Sequence, residues 1–241
     1  MHYLIIGAGG GLGRALLGHY TEQLEQGELT CLSAVSRQAK PDELADDIDW
    51  FEVSGDLASY QDVFAQLAAD EAELHGVVST IGWLHEGDWQ PERRIEALDE
   101  AQLNHYFAVN ATLPIMLLQG LKPLLAKKES AFVAQLGAKV GSISDNQLGG
   151  WYGYRASKAA LNMLFKTAAI ELRRTHKQLS LAVIHPGTTD TELSQPFQQR
   201  IADGKLYTPE QSAQRIAAVI AGLQPAQSGG FWFWDGTPLP Y

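Results

Sequence analysis

The chain has one cysteine, no long hydrophobic run and few basic side chains for its number of acidic ones. The single cysteine, Cys31, excludes an intrachain disulfide. No apolar run approaches the ~18 residues of a membrane span, and no signal peptide is evident, so we expect a cytoplasmic protein with no membrane partner. The balance of 18 Lys and Arg against 28 Asp and Glu repels phosphate backbones, so no nucleic-acid partner is expected. His85 and His185 lack partners at metal-ligand spacing, so no metal site is expected either.

Short apolar segments alternate along the chain with segments of helical length. Seven of the apolar segments predict strands, at residues 3–6, 30–35, 50–53, 76–80, 131–136, 179–184 and 230–234. Helices are predicted between them at residues 12–26, 60–69, 98–126, 154–175 and 209–222. Apolar strands that alternate with helices are typical of a parallel sheet covered by helices on both faces. Residues 1–241 therefore predict a single doubly wound α/β domain of about seven parallel strands, and we expect substrate-side loops at 83–99 and 188–204.

A glycine-rich run, Ile-Gly-Ala-Gly-Gly-Gly-Leu-Gly from Ile6 to Gly13, follows the first predicted strand and opens the first predicted helix. Glycine is needed there because the chain must reverse tightly, the backbone must approach a pyrophosphate, and the helix must pack on the strand. The free N–H groups and the positive dipole end of the helix then hold the anion. The run predicts a Rossmann-type dinucleotide site. Its candidate binding residues are Gly7, Gly9, Gly11, Leu12 and Gly13.

The end of the second predicted strand indicates which dinucleotide to expect. A site for NAD(H) usually has Asp or Glu there to bind the ribose hydroxyls, whereas this chain has Ser36 and Arg37. A carboxylate would repel a 2′-phosphate, but Arg37 can pair with it and Ser36 can donate a hydrogen bond to it. We therefore expect NADP(H) rather than NAD(H) as the cofactor. The alternative interpretation of Arg37 is a solvated surface side chain.

Tyr154 and Lys158 lie four residues apart in a strongly helical segment. This spacing places both side chains on one helix face, about one turn apart. A tyrosine with a pKa of ~10 is a poor acid–base catalyst at neutral pH, and a neighbouring ammonium group is expected to lower that pKa. The pair predicts proton exchange with a carbonyl or alcohol oxygen. Lys158 can also hold the nicotinamide ribose.

The glycine run and the Tyr-x-x-x-Lys pair together resemble the motifs of the short-chain dehydrogenase/reductase family. Segments 149–158, 185–187 and 235–236 more narrowly resemble the branch of C-factor signalling proteins and sniffer-type carbonyl reductases. The resemblance implies carbonyl reduction with NADPH. It also implies that Asn110 kinks a long helix and supports a proton-relay water. Further cofactor contacts implied by the resemblance are Asp56 and Leu57 at the adenine, Thr80, Ile81 and Gly82 near the ribose, and Pro186, Gly187, Thr188 and Thr191 at the nicotinamide.

The family also uses a serine hydroxyl that, together with the tyrosine, hydrogen-bonds the substrate oxygen. Counting back the family's usual ~13 residues from Tyr154 points to Ser142 as the catalytic serine. Alignment through the branch's Gly-Ser-Ile segment instead puts this position at Gly137 or Ala138, neither of which carries a hydroxyl. Either Ser142 or Ser144 reaches the site, or the serine is absent and Ser142 only caps a turn.

Two functions are compatible with these residues. The first is an NADPH-dependent reductase of a small carbonyl substrate (or an alcohol in reverse), with Tyr154 as the proton donor. The second is an NADP(H)-binding signalling or regulatory protein with little turnover, which the C-factor resemblance and the doubtful serine both permit. Trp83, Trp89 and Trp151 either line an aromatic substrate pocket or fill its rim. Helices 98–126 and 154–175 resemble the family's dimer-forming pair, so a homodimer or homotetramer is expected.

Overall fold

The fold is organised around a parallel β-sheet. The structure is a computed structural model that describes residues 1–241, apart from the side chain of Arg200. The strands of the sheet are β1 (His2–Ile6), β2 (Cys31–Ser36), β3 (Asp49–Glu52), β4 (Gly76–Ser79), β5 (Ala131–Leu136), β6 (Leu179–His185) and β9 (Gly230–Phe233). Within the described residues these seven strands pair in the order β3-β2-β1-β4-β5-β6-β9, and all neighbours are parallel. A separate ribbon pairs β7 (Thr188–Thr189) with β8 (Leu206–Tyr207).

Helices cover both faces of the sheet. They are α1 (Gly11–Glu25), α2 (Leu57–Ala69), α3 (Glu100–Phe107), α4 (Leu113–Leu121), α5 (Tyr152–Leu172) and α6 (Pro209–Ala221). On one face, Leu161 and Phe165 of α5 pack into a core layer with residues of α2 and α4. On the other face, Leu16 of α1 and Ile216 of α6 form a second core layer. The predicted α/β Rossmann-type fold, with seven parallel strands and helices on both faces, is confirmed.

The strand order reverses beside β1. From β1 the chain passes outward through β2 to β3, and then returns to the other side of β1 as β4. The carboxyl ends of β1 and β4 therefore flank a crevice, which is where doubly wound sheets bind their ligands. Every residue of β4 and β5 is buried, as expected for central parallel strands with two covered faces.

The predicted strand ends differ from the observed ones by at most one residue, but the predicted helix 98–126 is wrong as a continuous helix. The structure divides it into α3, a π-helical turn at Ala108–Thr112, α4 and a 3-10 turn at Lys122–Leu124. Pro114 has no N–H to donate to the Asn110 carbonyl four residues earlier, so the regular helix is interrupted there. The chain widens into the π turn, in which the Leu113 N–H donates to the Ala108 carbonyl.

The predicted loop 188–204 contains more regular structure than expected. It begins with β7 and includes a 3-10 helix at Gln195–Arg200, while β8 lies just beyond it. Strands of two residues are too short to show an alternating pattern in the sequence. In the part of the chain that the structure describes, no helix has the length and apolar character needed to cross a membrane. The same described residues contain no group of three His, Cys, Asp or Glu side chains arranged to hold a metal ion.

Candidate active site

The glycine turn lies at the carboxyl end of β1, beside the crevice. Gly7 has a φ of +86°, a left-handed conformation that favours glycine, and its N–H donates to the Val35 carbonyl at 2.9 Å. A Cβ atom on Gly13 would clash with the Gly7 carbonyl, so only glycine lets α1 start this close to β1. Gly10 precedes α1 and contributes no side-chain cap. The N–H groups of the first turn of α1 are therefore available to an anion.

The other glycines of the turn keep space open above it. A Cβ atom on Gly9 would clash with Ser36 Oγ, and one on Gly11 would lie 3.1 Å from Thr191 Cγ2. Leu12 packs against the second core layer and anchors the start of α1. A side chain at either glycine would fill the cradle that a pyrophosphate needs, so the turn fits a dinucleotide.

The chain after β4 links this turn to the predicted reactive pair. Thr80 Oγ1 donates to the Gly7 carbonyl at 3.1 Å, and Ile81 packs against the first core layer. A Cβ atom on Gly82 would lie 3.2 Å from Lys158 Nζ. The structure thus brings Thr80, Ile81 and Gly82 together between the turn and Lys158.

Beyond β2 and β3 lie the side chains predicted to contact the adenosine. Arg37 is exposed, and its Cδ lies 2.8 Å from the position of a Cβ atom on Gly55. Asp56 caps α2, because its carboxylate accepts a hydrogen bond from the Ser59 N–H at 2.9 Å. This hydrogen bond holds the pKa of Asp56 below its usual value. Leu57, the next residue, is half-buried against the first core layer.

Tyr154 and Lys158 lie in the first two turns of α5, and both side chains are buried. Lys158 Nζ donates to the Leu136 carbonyl at 3.3 Å and lies 5.8 Å from the centre of the Tyr154 ring. Burial, with a smaller effect of Tyr106, raises the pKa of Tyr154, and burial lowers the pKa of Lys158 to about 8. The expected lowering of the tyrosine pKa is therefore wrong for the chain without bound cofactor, because burial of the hydroxyl sets the direction of the shift.

Asn110 is fully buried in the π turn. Its Oδ1 accepts from the Trp83 N–H at 2.8 Å, and its Nδ2 donates to the Trp83 carbonyl at 2.9 Å. The same Nδ2 lies 3.2 Å from Ser157 Oγ of α5. Asn110 therefore fixes the chain just after Gly82 against the helix that carries Tyr154. The π turn interrupts the regular helix at this residue.

The position beside Tyr154 carries a methyl group. Ala138 packs in one apolar cluster with Leu84, Tyr106 and Tyr154. A Cβ atom on Gly137 would instead clash with Val183 Cγ1, which belongs to the first core layer. Of the two positions left open by the sequence, Ala138 is the one that shares a cluster with the tyrosine.

Ser142 lies in the turn that follows a 3-10 helix at Lys139–Gly141, and it is buried. Its Oγ accepts from the Asp145 N–H at 3.2 Å and lies 3.4 Å from Ser144 Oγ. Ser144 Oγ in turn donates to the Tyr241 carbonyl at 2.8 Å. Both hydroxyls are thus engaged within this turn and with the chain end, which favours turn capping over catalysis for Ser142.

Glu92 is a buried carboxylate that the sequence did not single out. Its carbonyl accepts from the Trp151 N–H, and its Oε2 accepts from the Gly153 N–H at 3.3 Å. Trp151 has a left-handed φ of +53° just before α5 begins. A Cβ atom on Gly153 would clash with the Tyr106 ring, so glycine is required there. Glu92 thus holds the start of the helix that carries Tyr154, although 61 residues separate it from Gly153.

Aromatic side chains form a wall around Tyr154. The rings of Trp151 and Phe197 lie 5.0 Å apart, and both pack against the cluster that contains Tyr154. Trp83 packs against the same cluster and lies 4.7 Å from the Tyr106 ring. Trp89 is more exposed, and its ring lies 5.9 Å from that of Trp83 and 5.3 Å from that of His105. The geometry favours a lining position for Trp83 and Trp151, and a rim position for Trp89.

The segment after β6 completes the crevice. Gly187 has a φ of +82°, and a Cβ atom on it would lie 3.0 Å from both Tyr207 and Trp234. Pro186 precedes it, and Thr188 begins β7, which β8 holds in place. The backbone of 186–188 therefore runs close over two aromatic rings, and only glycine fits at its centre.

The family model described as short chain dehydrogenase matches residues 1–202. The C-signal protein of Myxococcus xanthus is 33% identical over 144 residues, which cover 60% of this chain and 81% of that protein. The carbonyl reductase Sniffer of D. melanogaster superposes with a TM-score of 0.81 at 23% identity, covering 100% of this chain and 99% of that one. The NADPH-bound carbonyl reductase from chicken fatty liver superposes with a TM-score of 0.83 at 22% identity, covering 100% of this chain and 98% of that one. At these identities the two structures show a shared fold alone.

Proposed function

The chain belongs to the short chain dehydrogenase family, and on this basis we propose that it is an NADPH-dependent reductase of carbonyl groups with Tyr154 as the proton donor. The observation that carries the proposal is the position of Lys158. Its Nζ lies 5.8 Å from the Tyr154 ring centre and 3.2 Å from the Cβ position of Gly82. One buried side chain therefore connects the proton donor with the crevice that fits a dinucleotide.

The choice of NADPH rests on charge. No carboxylate residue follows β2 directly, and Ser36 and Arg37 stand where an NAD(H) site needs an acidic side chain. The chicken carbonyl reductase of the same fold holds NADPH. When bound, NADPH supplies the hydride. The glycine turn would hold its pyrophosphate, and the segment 186–188 with Thr191 would lie at its nicotinamide end.

Tyr154 is suited to give a proton rather than to take one. Because burial raises its pKa, the hydroxyl is protonated at neutral pH, which is the form that reduction requires. Lys158, with a pKa lowered to about 8, is mostly protonated at pH 7 and can stabilise the phenolate left after proton transfer. It can also donate to the ribose beside Gly82. The Asn110 carbonyl, which Pro114 cannot use, can accept a hydrogen bond from a relay water that returns the proton.

The wall around Tyr154 indicates what kind of carbonyl compound fits. Trp151, Phe197 and Tyr106 present apolar rings, and Ala138 adds a methyl group beside the tyrosine. A small ketone or aldehyde with an apolar or aromatic body would bury that body against these rings. Assembly as a homodimer or homotetramer stays a prediction.

The methyl group of Ala138 favours a second function for the chain. With Ala138 in place of a hydroxyl, the substrate oxygen has Tyr154 as its hydrogen-bond donor and lacks the second donor that the family uses. The C-signal protein, a relative by sequence, bears the name of a signal. The alternative is therefore an NADP(H)-binding regulatory protein with little turnover.

The test is oxidation of NADPH with a panel of dicarbonyls and aromatic aldehydes, followed by nicotinamide absorbance. Tyr154→Phe is expected to lower kcat by about 10²- to 10⁴-fold while the Kd for NADPH is unchanged. Tyr152→Phe, an exposed neighbour in the same helix turn, serves as the control. Full activity of Tyr154→Phe would contradict the mechanism. Tight NADPH binding without turnover on the whole panel would favour the regulatory alternative.

A further inference from the structure

We propose that Arg215 of α6 is a positioning residue, which fixes two aromatic rings under the segment 186–188 and thereby sets the nicotinamide end of the crevice. This inference rests on the proposed function, in which that segment lies at the nicotinamide. Arg215 belongs to none of the motifs on which that function was proposed. Its role comes from the two rings that its guanidinium contacts.

The guanidinium of Arg215 lies against Tyr207 and Trp234. Its Cζ is 3.9 Å from the centre of the Tyr207 ring and 4.0 Å from the centre of the Trp234 ring. The two ring centres are 5.4 Å apart. Both contacts are well inside the ~6 Å limit of a cation–π interaction. One cation therefore joins β8, which ends at Tyr207, to the chain that follows β9, where Trp234 lies.

The same two rings support the backbone of Gly187. A Cβ atom on Gly187 would lie 3.0 Å from Tyr207 and 3.0 Å from Trp234, so the glycine backbone passes directly against both rings. A shift of either ring would therefore be transmitted to the segment 186–188. Arg215 thus contacts the rings on which this part of the crevice rests, and it acts on the crevice through them.

A second contact of α6 anchors the other strand of the ribbon. Ser212 lies one turn before Arg215, and its Oγ is 2.7 Å from Thr189 Oγ1; both side chains are buried. Thr189 belongs to β7 and pairs with Tyr207 of β8. Residues three apart share one face of a helix. This face of α6 therefore holds both strands of the ribbon, β7 through a hydrogen bond and β8 through the guanidinium.

The charge of Arg215 is held by the rings without an anionic partner. The ion pairs among the described residues do not include Arg215. Its Nη1 is buried and has no hydrogen-bond partner in that part of the chain. Desolvation of a cation is costly, and the attraction to the two ring faces offsets that cost only while both rings stay in place. The charge thus favours one geometry of the rings, which an apolar side chain of similar length would not do.

The experiment compares dissociation constants for NADPH and for adenosine 2′,5′-bisphosphate, a fragment without nicotinamide, by titration calorimetry. Arg215→Met keeps most of the side-chain length and removes the charge. It is expected to raise the Kd for NADPH about fivefold, which corresponds to about 1 kcal/mol, and to leave the Kd for the fragment within about twofold of the wild type. Arg215→Lys keeps a cation and should recover part of the loss. Arg174→Met, which removes an exposed arginine beyond the end of α5, is the charge-matched control.

Steady-state kinetics at saturating NADPH separates positioning from a merely structural role. In Arg215→Met, kcat is expected to fall about tenfold while the KM for the carbonyl substrate changes less than about twofold, because hydride transfer depends on how the nicotinamide is placed. Tyr207→Leu removes one of the two rings and should show the same split. In the double variant, the loss of NADPH affinity should be smaller than the product of the two single losses, because both changes break one contact.

An equal rise of both Kd values in Arg215→Met would overturn the positioning role, because Arg215 would then act on the fold as a whole. Unchanged Kd values and an unchanged kcat would overturn it as well, and both results leave the proposed function intact. If Arg215→Met does not fold, Arg215→Lys decides: a rise of about twofold in the Kd for NADPH alone supports the role, and wild-type values overturn it. If the wild type does not bind NADPH, the proposed function fails and this inference fails with it, which is visible before any variant is made.

Discussion

The methyl group of Ala138 gives a direct test of how the substrate oxygen is held. Ala138 packs in the cluster that contains Tyr154, so Ala138→Ser places a hydroxyl within that cluster. One preorganised donor to a developing oxyanion is worth about 10²–10³ in kcat. Burying a hydroxyl without a partner also costs about 1–3 kcal/mol of folding free energy, which lowers stability and leaves kcat unaffected. We expect kcat to rise about 10- to 100-fold, below the full value of one such donor because the introduced hydroxyl is not preorganised toward the oxyanion.

The assay is steady-state NADPH oxidation on the carbonyl panel, together with urea unfolding. Gly137→Ser is the matched control, because its Cβ would clash with Val183 and lie 3.5 Å from Phe231 in the core. That variant should lose about 1–3 kcal/mol of unfolding free energy and gain no activity. If Ala138→Ser folds and binds NADPH normally, yet kcat stays within about twofold of the wild type for every reduced substrate, Ala138 does not face the reacting oxygen.

Three other perturbations have outcomes that follow from single contacts. Asn110→Leu leaves the N–H and carbonyl of Trp83 unpaired, so the free energy of unfolding should fall by about 2–4 kcal/mol in urea titration; a loss below about 1 kcal/mol would contradict the role of these bonds. Glu92→Ala should lose about 1–3 kcal/mol, and Glu92→Gln should recover most of it because its amide oxygen can still accept from Gly153; equal losses would refute the capping role. Because burial lowers the pKa of Lys158 from 10.5 to about 8, the unfolded chain binds more protons between these values, and stability should rise with pH. The rise from pH 7 to 9 should be about 1.4 kcal/mol, and Lys158→Met should abolish it.

The sequence by itself determined the architecture and the family. Apolar runs set the strands to within one residue, because a strand buried on both faces must be apolar along its whole length. The glycines from Gly7 to Gly13 predicted the turn, because a left-handed φ and a close helix start are requirements of the local backbone. The spacing of Tyr154 and Lys158 placed both on one helix face for the same local reason. The family model that matches residues 1–202 confirms the resemblance drawn from these motifs.

Only the tertiary structure decided what surrounds those motifs. It decided that Ala138 shares the cluster of Tyr154, whereas a side chain at Gly137 would meet Val183 of β6, because these contacts depend on the packing of β5 against β6. It brought Glu92 to the start of α5 and Arg215 against Trp234, contacts between residues that no periodic pattern relates. It also reversed the expected pKa shift of Tyr154, because desolvation depends on everything packed around a side chain and not on its neighbour one helical turn away.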